Sequence, residues 1–122
     1  MTDANIIQKV KAELLNGRKS QEVGNQGRAR VCARRAAGWA IQEYLQQQGK
    51  PISSTIALDQ IKYFSTVTGL SDRMYRTLNL LTVRLKKDSF EEDAYYPIEG
   101  IDLVTEAHWL VEELLQIDLH MD

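Results

Sequence analysis

The residues best equipped for chemistry in this 122-residue chain lie in GNQGRARVCARRAAGWAIQEYLQQQG, residues 24–49. Arg28, Arg30, Arg34 and Arg35 surround the single cysteine, Cys32. Clustered guanidinium groups suit phosphates and carboxylates, which they hold through paired N–H donors. Neighbouring cations also lower a thiol pKa and favour a thiolate nucleophile. No histidine lies near Cys32 in sequence, and a cysteine in an alanine-rich helix is expected to pack rather than react. Two glycines before a helix can cradle an anion. Gly24, Asn25 and Gly27 also make a plain turn, and the turn is preferred. Neither a phosphate loop of the G-x-x-x-x-G-K-[ST] type nor a G-x-G-x-x-G fingerprint occurs.

Helical geometry divides the arginines. At about 100° per residue, Ala33, Ala37, Ala40, Ile41, Tyr44 and Leu45 share one face. Arg30 and Arg34 border that face and are the candidate binding residues. Arg28 and Arg35 lie opposite, together with Cys32 and Trp39. The last helical segment repeats this with the other sign. Its Trp109 falls away from the leucine stripe, among Asp102, Glu106 and Glu113. Tryptophan and arginine are favoured in interface cores, and carboxylate–guanidinium pairs fix orientation. Arg28, Arg35, Trp39, Asp102, Glu106, Trp109 and Glu113 are therefore candidate interface residues. The two faces are expected to meet within the monomer or across a two-fold dimer. Burial of the second helix on two sides is the other way to house Trp39.

Metal chemistry finds little support. Carboxylate-bridged di-iron bundles need Glu-x-x-His pairs on facing helices, and neither His108 nor His120 has a glutamate three residues before it. His108 and Glu112 are one helical turn apart and could supply two ligands, but a lone His/Glu pair on a surface helix is far more often a solvated pair. No metal site, catalytic residue or cofactor is expected.

The chain is the size of one domain, assigned to residues 1–122. One cysteine excludes an intramolecular disulfide, and the cytoplasm is the expected location. No apolar run approaches the roughly 20 residues of a membrane helix. The net charge is −2, but it is unevenly spread. Residues 1–50 carry nine Lys/Arg and four Asp/Glu, a net of +5; residues 51–122 carry six and thirteen, a net of −7. Mutual neutralisation of the halves is preferred over a basic nucleic-acid face, because no overall basic excess supports the latter.

Five segments read as helix. Residues 3–16 place Ile6, Ile7, Val10 and Leu14 on one stripe, with Gly17 as a left-handed cap. Residues 26–48 stop at Gly49 before Pro51. Ser53, Ser54 and Thr55 offer caps for a third segment with Leu58, Ile61 and Phe64 as its core, ended by Gly69. Ser71 caps a fourth with Met74, Leu78, Leu81 and Leu85 as its seam. After the polar loop KKDSFEEDAYYPIEG, Asp102 caps a fifth. Strand signals are weak, so the expected fold is an all-α antiparallel bundle of about five helices. FSTVTGLSDRMYRTLNLL also suggests a helix-turn-helix, with Ser65 as the small residue, Gly69 in the turn and Ser71, Arg73 and Arg76 opening a recognition helix. Tyr75 stands where an aliphatic residue is usual, so DNA binding is kept as an alternative.

Taken together, GRARVCARRAAGWAIQEYL, SDRMYRTLNLLTVRL and AYYPIEGIDLVTEAHWLVEELL resemble the HEPN superfamily (higher eukaryotes and prokaryotes nucleotide-binding). The resemblance covers roughly residues 20–116. It rests on an alanine-rich early helix at 33–45 and on a tyrosine–proline loop, Tyr96 and Pro97, leading into a last amphipathic helix. It implies a small helical bundle, homodimeric, that contacts a nucleotide or a partner protein such as a nucleotidyltransferase. Catalytic members carry an arginine, four to six intervening residues and a histidine, which form a metal-independent ribonuclease site at the dimer cleft. Here no arginine precedes either histidine at that spacing, and the nearest one before His108 is Arg84. The expectation is a non-catalytic binding module. A divergent ribonuclease using Arg30, Arg34 and His108 is the alternative from another class.

Overall fold

The computed structural model describes residues 2–83 and 101–120. Among them the chain is all-α, with five helices: α1 (Ala4–Glu22), α2 (Gln26–Gln47), α3 (Ala57–Phe64), α4 (Asp72–Thr82) and α5 (Leu103–Leu115). Leu85, Arg84 and the Tyr96–Pro97 loop lie outside the described residues.

Local chemistry sets most helix starts. Asp3, Asn25, Ser71 and Asp102 are the N-caps of α1, α2, α4 and α5, and each side chain accepts a backbone N–H of the first turn. The start of α3 differs. Ile56 occupies its cap position, and Ser54 Oγ accepts the Ile56 N–H at 3.2 Å. Gly24 takes φ +78° in the turn between α1 and α2, a region that favours glycine.

The first helix is longer than its sequence pattern predicts. It passes through Gly17, which is buried rather than a cap. A Cβ there would lie 2.9 Å from Val104 Cγ2 and 3.3 Å from Cys32 Cβ. Gly17 is thus where α1, α2 and α5 approach most closely, and the glycine answers a packing need rather than a dihedral one.

α2 is the central helix. Ala29, Ala33, Ala36, Ala37 and Ala40 are completely buried along it. Large side chains from the surrounding helices fill the space: Leu14 from α1, Phe64 from α3, Leu81 from α4 and Leu110 from α5. Leu58, expected in the core, is only half-buried, while its neighbours Ile61 and Phe64 are fully buried. A three-residue turn joins α1 to α2, and the contacts Lys9–Trp39 and Glu13–Arg35 pair later residues of α1 with earlier residues of α2. The pairs Arg73–Trp109 and Thr77–Glu106 run α4 against α5. α5, however, starts beside the last turn of α1, through Arg18 and Gln21. It therefore starts from the same end of the bundle as α2. Tyr75 explains its own break of the helix-turn-helix pattern. Its hydroxyl donates to Val67 O and accepts the Leu70 N–H, which ties down the connection between α3 and α4. No described helix is long and apolar enough to cross a membrane.

Gly38 of α2 gives the sharpest test of this packing. A Cβ there would sit 2.6 Å from Gln60 Oε1 and 3.1 Å from the Ala57 Cα. Alanine gains about 1 kcal/mol of helix propensity, but overpacking costs about 1–3 kcal/mol. Gly38→Ala is expected to lower stability by up to about 2 kcal/mol, read from the urea midpoint at unchanged slope.

Candidate functional site

The four arginines have four different surroundings. Arg28 and Arg35 are exposed, as expected from the helical wheel, while Arg30 is buried and Arg34 half-buried. Arg34 Nε donates to Leu81 O at 2.6 Å, and its Nη2 lies 3.5 Å from Val83 O. Its guanidinium closes the C-terminal end of α4, where carbonyls lack helical partners and a cation is favoured. The charged group in contact with His108 among the described residues is Glu112 of its own helix. His108 Nε2 is buried, 3.6 Å from Glu112 Oε1, and makes no hydrogen bond among the described residues. Glu112 also accepts the Leu119 N–H at 2.8 Å, which pins the buried Leu119 behind the end of α5.

The cysteine behaves opposite to the simple charge argument. Cys32 is buried, and burial, with Glu13 beside it, pushes the thiol pKa up against the pull of Arg28 and Arg35. It is a packed thiol, protonated at neutral pH. Among the described residues no group of three His, Cys, Asp or Glu side chains is placed to hold a metal ion.

The two tryptophan faces look to different neighbours. Lys9 Nζ of α1 lies 4.4 Å from the centroid of the Trp39 ring. The Arg73 guanidinium of α4 lies 4.1 Å from that of Trp109. Each half-buried indole is thus covered by a cation from a helix other than the one expected. Helix α2 is buried on two sides, which houses Trp39 without the acidic face of α5. Asp102 turns toward α1: its carboxylate accepts Arg18 Nη1 at 2.7 Å and Gln21 Nε2 at 2.8 Å, and it caps Thr105 N at 3.1 Å. Thr77 Oγ1 lies 3.5 Å from Glu106 Oε2, and Glu113 is exposed.

What the arrangement leaves open is a cleft of about 520 Å³ along Trp39. Glu13 and Arg35 flank it, Gln42 and Gln60 line its inner end, and the half-exposed Ile56 forms part of its rim. Gln60 is 2 % exposed. Its Nε2 donates to Gln42 Oε1 at 2.9 Å and to Ser54 O at 2.8 Å. These contacts hold the amide against Gly38, whose missing side chain makes the room. Of the cleft residues, Trp39 and Arg35 stand out in the sequence. Glu13, Gln42 and Gln60 carry no sequence signal, because three separate elements bring them together only on folding. Comparison of the chain with protein-family models, curated proteins and solved structures returned no match.

The charge on Asp102 yields a pH test. Burial opposes its ionisation, but hydrogen bonds from Gln21, the Thr105 N–H and Arg18, with the guanidinium charge, outweigh burial and hold its pKa below the ordinary carboxylate value. A depressed folded pKa adds stability above the unfolded value, about 3.9, and loses it as pH falls through the folded one. Loss of the cap costs about 1 kcal/mol, and the half-exposed ion pair adds about 0–1 kcal/mol after screening. Asp102→Ala should therefore cost about 1–2 kcal/mol at neutral pH. The gap to the unaltered protein should close as pH falls below the carboxylate range, measured by urea unfolding across pH.

Proposed function

We propose that this chain is a non-catalytic helical binding module of HEPN-like type, acting as a cytoplasmic homodimer, and that it binds through the cleft along Trp39. One observation supports the reading: among the described residues an open cleft with charged and amide side chains runs along Trp39. Arg34 closes the end of α4, and the ionisable neighbour of His108 is Glu112 of its own helix. A ribonuclease needs an imidazole within reach of the reacting phosphate and a cation to hold it, and among the described residues the contacts of His108 and Arg34 do not point to such a pair.

The dimer draws support from the surface shared by α4 and α5. Arg73 and Arg76 are exposed on α4, and Trp109 and the exposed Glu113 lie one turn apart on α5. Opposite charges on adjacent antiparallel helices form a self-complementary pattern. A two-fold axis would set the arginines of one copy against the glutamates of the other around the tryptophans.

Two measurements test the proposal. Purified protein should leave single-stranded RNA intact to the same extent as an Arg34→Ala variant whose fold is checked by circular dichroism. Cleavage that depends on Arg34 would overturn the non-catalytic reading. Light scattering should give twice the chain mass of 13.9 kDa. Trp109→Glu should halve that mass and Trp39→Glu leave it unchanged; a monomer in the unaltered protein removes the dimer.

A further inference from the structure

The cleft along Trp39 holds one full charge of each sign. Arg35 Nη1 of α2 and Glu13 Oε1 of α1 are 3.9 Å apart. That is beyond hydrogen-bonding distance and at the limit of an ion pair. The two groups also differ in access: the Arg35 side chain is 61 % exposed and that of Glu13 only 20 %. A mostly buried carboxylate in loose contact with its cation keeps acceptor capacity for a donor entering the cleft. The guanidinium keeps most of its five N–H donors. The indole of Trp39 lies beside this pair, and the amides of Gln42 and Gln60 are fixed at the inner end. The volume, about 520 Å³, falls in the roughly 300–1,000 Å³ range of small-molecule sites.

A ligand for this cleft has to satisfy both charges together. An anion with a flat ring, such as a nucleotide, would reach Arg35 but set its phosphate against the Glu13 carboxylate. A simple cation would reach Glu13 but meet Arg35 and Lys9. We propose that the cleft binds a small zwitterion, a free α-amino acid with an aromatic side chain. Its carboxylate accepts from Arg35 and its ammonium donates to Glu13. These groups sit on one carbon of the ligand, so one small molecule can lie alongside the pair and bridge a cation and an anion 3.9 Å apart. The side chain lies along Trp39, where offset or edge contacts between rings add to burial. The inner amides meet its far edge. Lys9, already over the indole, biases the cleft toward the carboxylate end. The proposal rests on the reading of the Trp39 cleft as the binding surface, and it names the ligand class.

The test uses the full chain labelled with nitrogen-15. The indole N–H signals of Trp39 and Trp109 are told apart with a Trp109→Phe variant. L-phenylalanine, L-tryptophan and L-histidine are titrated to millimolar concentration. At least one should move the Trp39 signal and leave that of Trp109 in place. For that amino acid, the N-acetyl derivative lacks the ammonium and the amide lacks the carboxylate. Each should bind at least about tenfold more weakly, the loss of one hydrogen bond to a charged group. Glu13→Gln should erase the preference over the N-acetyl derivative, and Arg35→Gln the preference over the amide. If the derivatives, or adenosine monophosphate, bind as well as the free amino acid, the zwitterion is wrong while the cleft remains a binding surface. If none of these compounds moves the Trp39 signal, the proposal fails outright. The module reading is judged separately, by the mass and the RNA assay.

Discussion

The fold depends on how closely other helices can approach α2. Its buried face is built from Ala29, Ala33, Ala36, Ala37 and Ala40, with Gly38 opposite Ala57. Small residues on a central helix bring neighbouring backbones near, so the core is filled by the neighbours' side chains rather than by its own. Phe64, Leu14, Leu78 and Leu110 supply that volume from four helices. The same closeness appears at Gly17 of α1, where Val104 and Cys32 leave no space for a side chain. Two glycines inside helices, each weakening its helix by about 1 kcal/mol relative to alanine, are retained where backbones touch. Interiors packed to crystal-like density tolerate such contacts only with the smallest residue.

Close approach on one side of α2 shapes the other. Helix α3 is drawn against Gly38, and Gln60 is buried with it. A buried amide must find partners, and Gln60 finds Gln42 and the Ser54 carbonyl. That pairing holds the segment before α3 alongside α2, and Trp39 lines the space left between that segment and α1. The cleft is therefore a consequence of the small-residue packing rather than a separate feature. Its charges come from residues that the core excludes: Arg35 and Glu13 lie on the outward sides of α2 and α1, and Lys9 follows one turn away.

Features determined within a few residues were legible in the sequence. Ser71 and Asp102 cap their helices because the hydroxyl or carboxylate reaches an N–H three residues on, with no help from the rest of the fold. The boundaries of α2 follow from the Asn25 cap and from Gly49 and Pro51 beyond its end, and the separation of Arg28 and Arg35 from Arg30 and Arg34 follows from helical period. Features that depend on distant partners were not legible. Gly17 has the look of a helix end, because nothing nearby in sequence announces Val104. Arg34 has the look of a free guanidinium, because the carbonyl it closes belongs to Leu81, 47 residues away. Cys32 packs, as its alanine-rich helix suggests, and burial outweighs the two arginines on the same helix that would lower its pKa. Trp39 and Trp109 were rightly set apart from the leucine stripes, but their partners, Lys9 and Arg73, lie on other helices and nothing in the sequence links them to the indoles.

The uneven charge of the chain takes its meaning from these contacts. A basic first half and an acidic second half suggest broad neutralisation, yet among the described residues the direct link between them is narrow. Arg18 and Asp102 join α1 to the start of α5 in one cluster with Gln21 and Thr105. Arg35 faces Glu13 of its own half. Arg73 reaches α5 through an indole rather than a carboxylate. The arginine cluster that first suggested a phosphate site is thus dispersed by the fold. One arginine ends a helix, one is buried beside the core, one is exposed at the start of α2, and one stands over a cleft. The last has an open approach and a carboxylate 3.9 Å away, so the chemistry of the cleft turns on Arg35 and the carboxylate across from it.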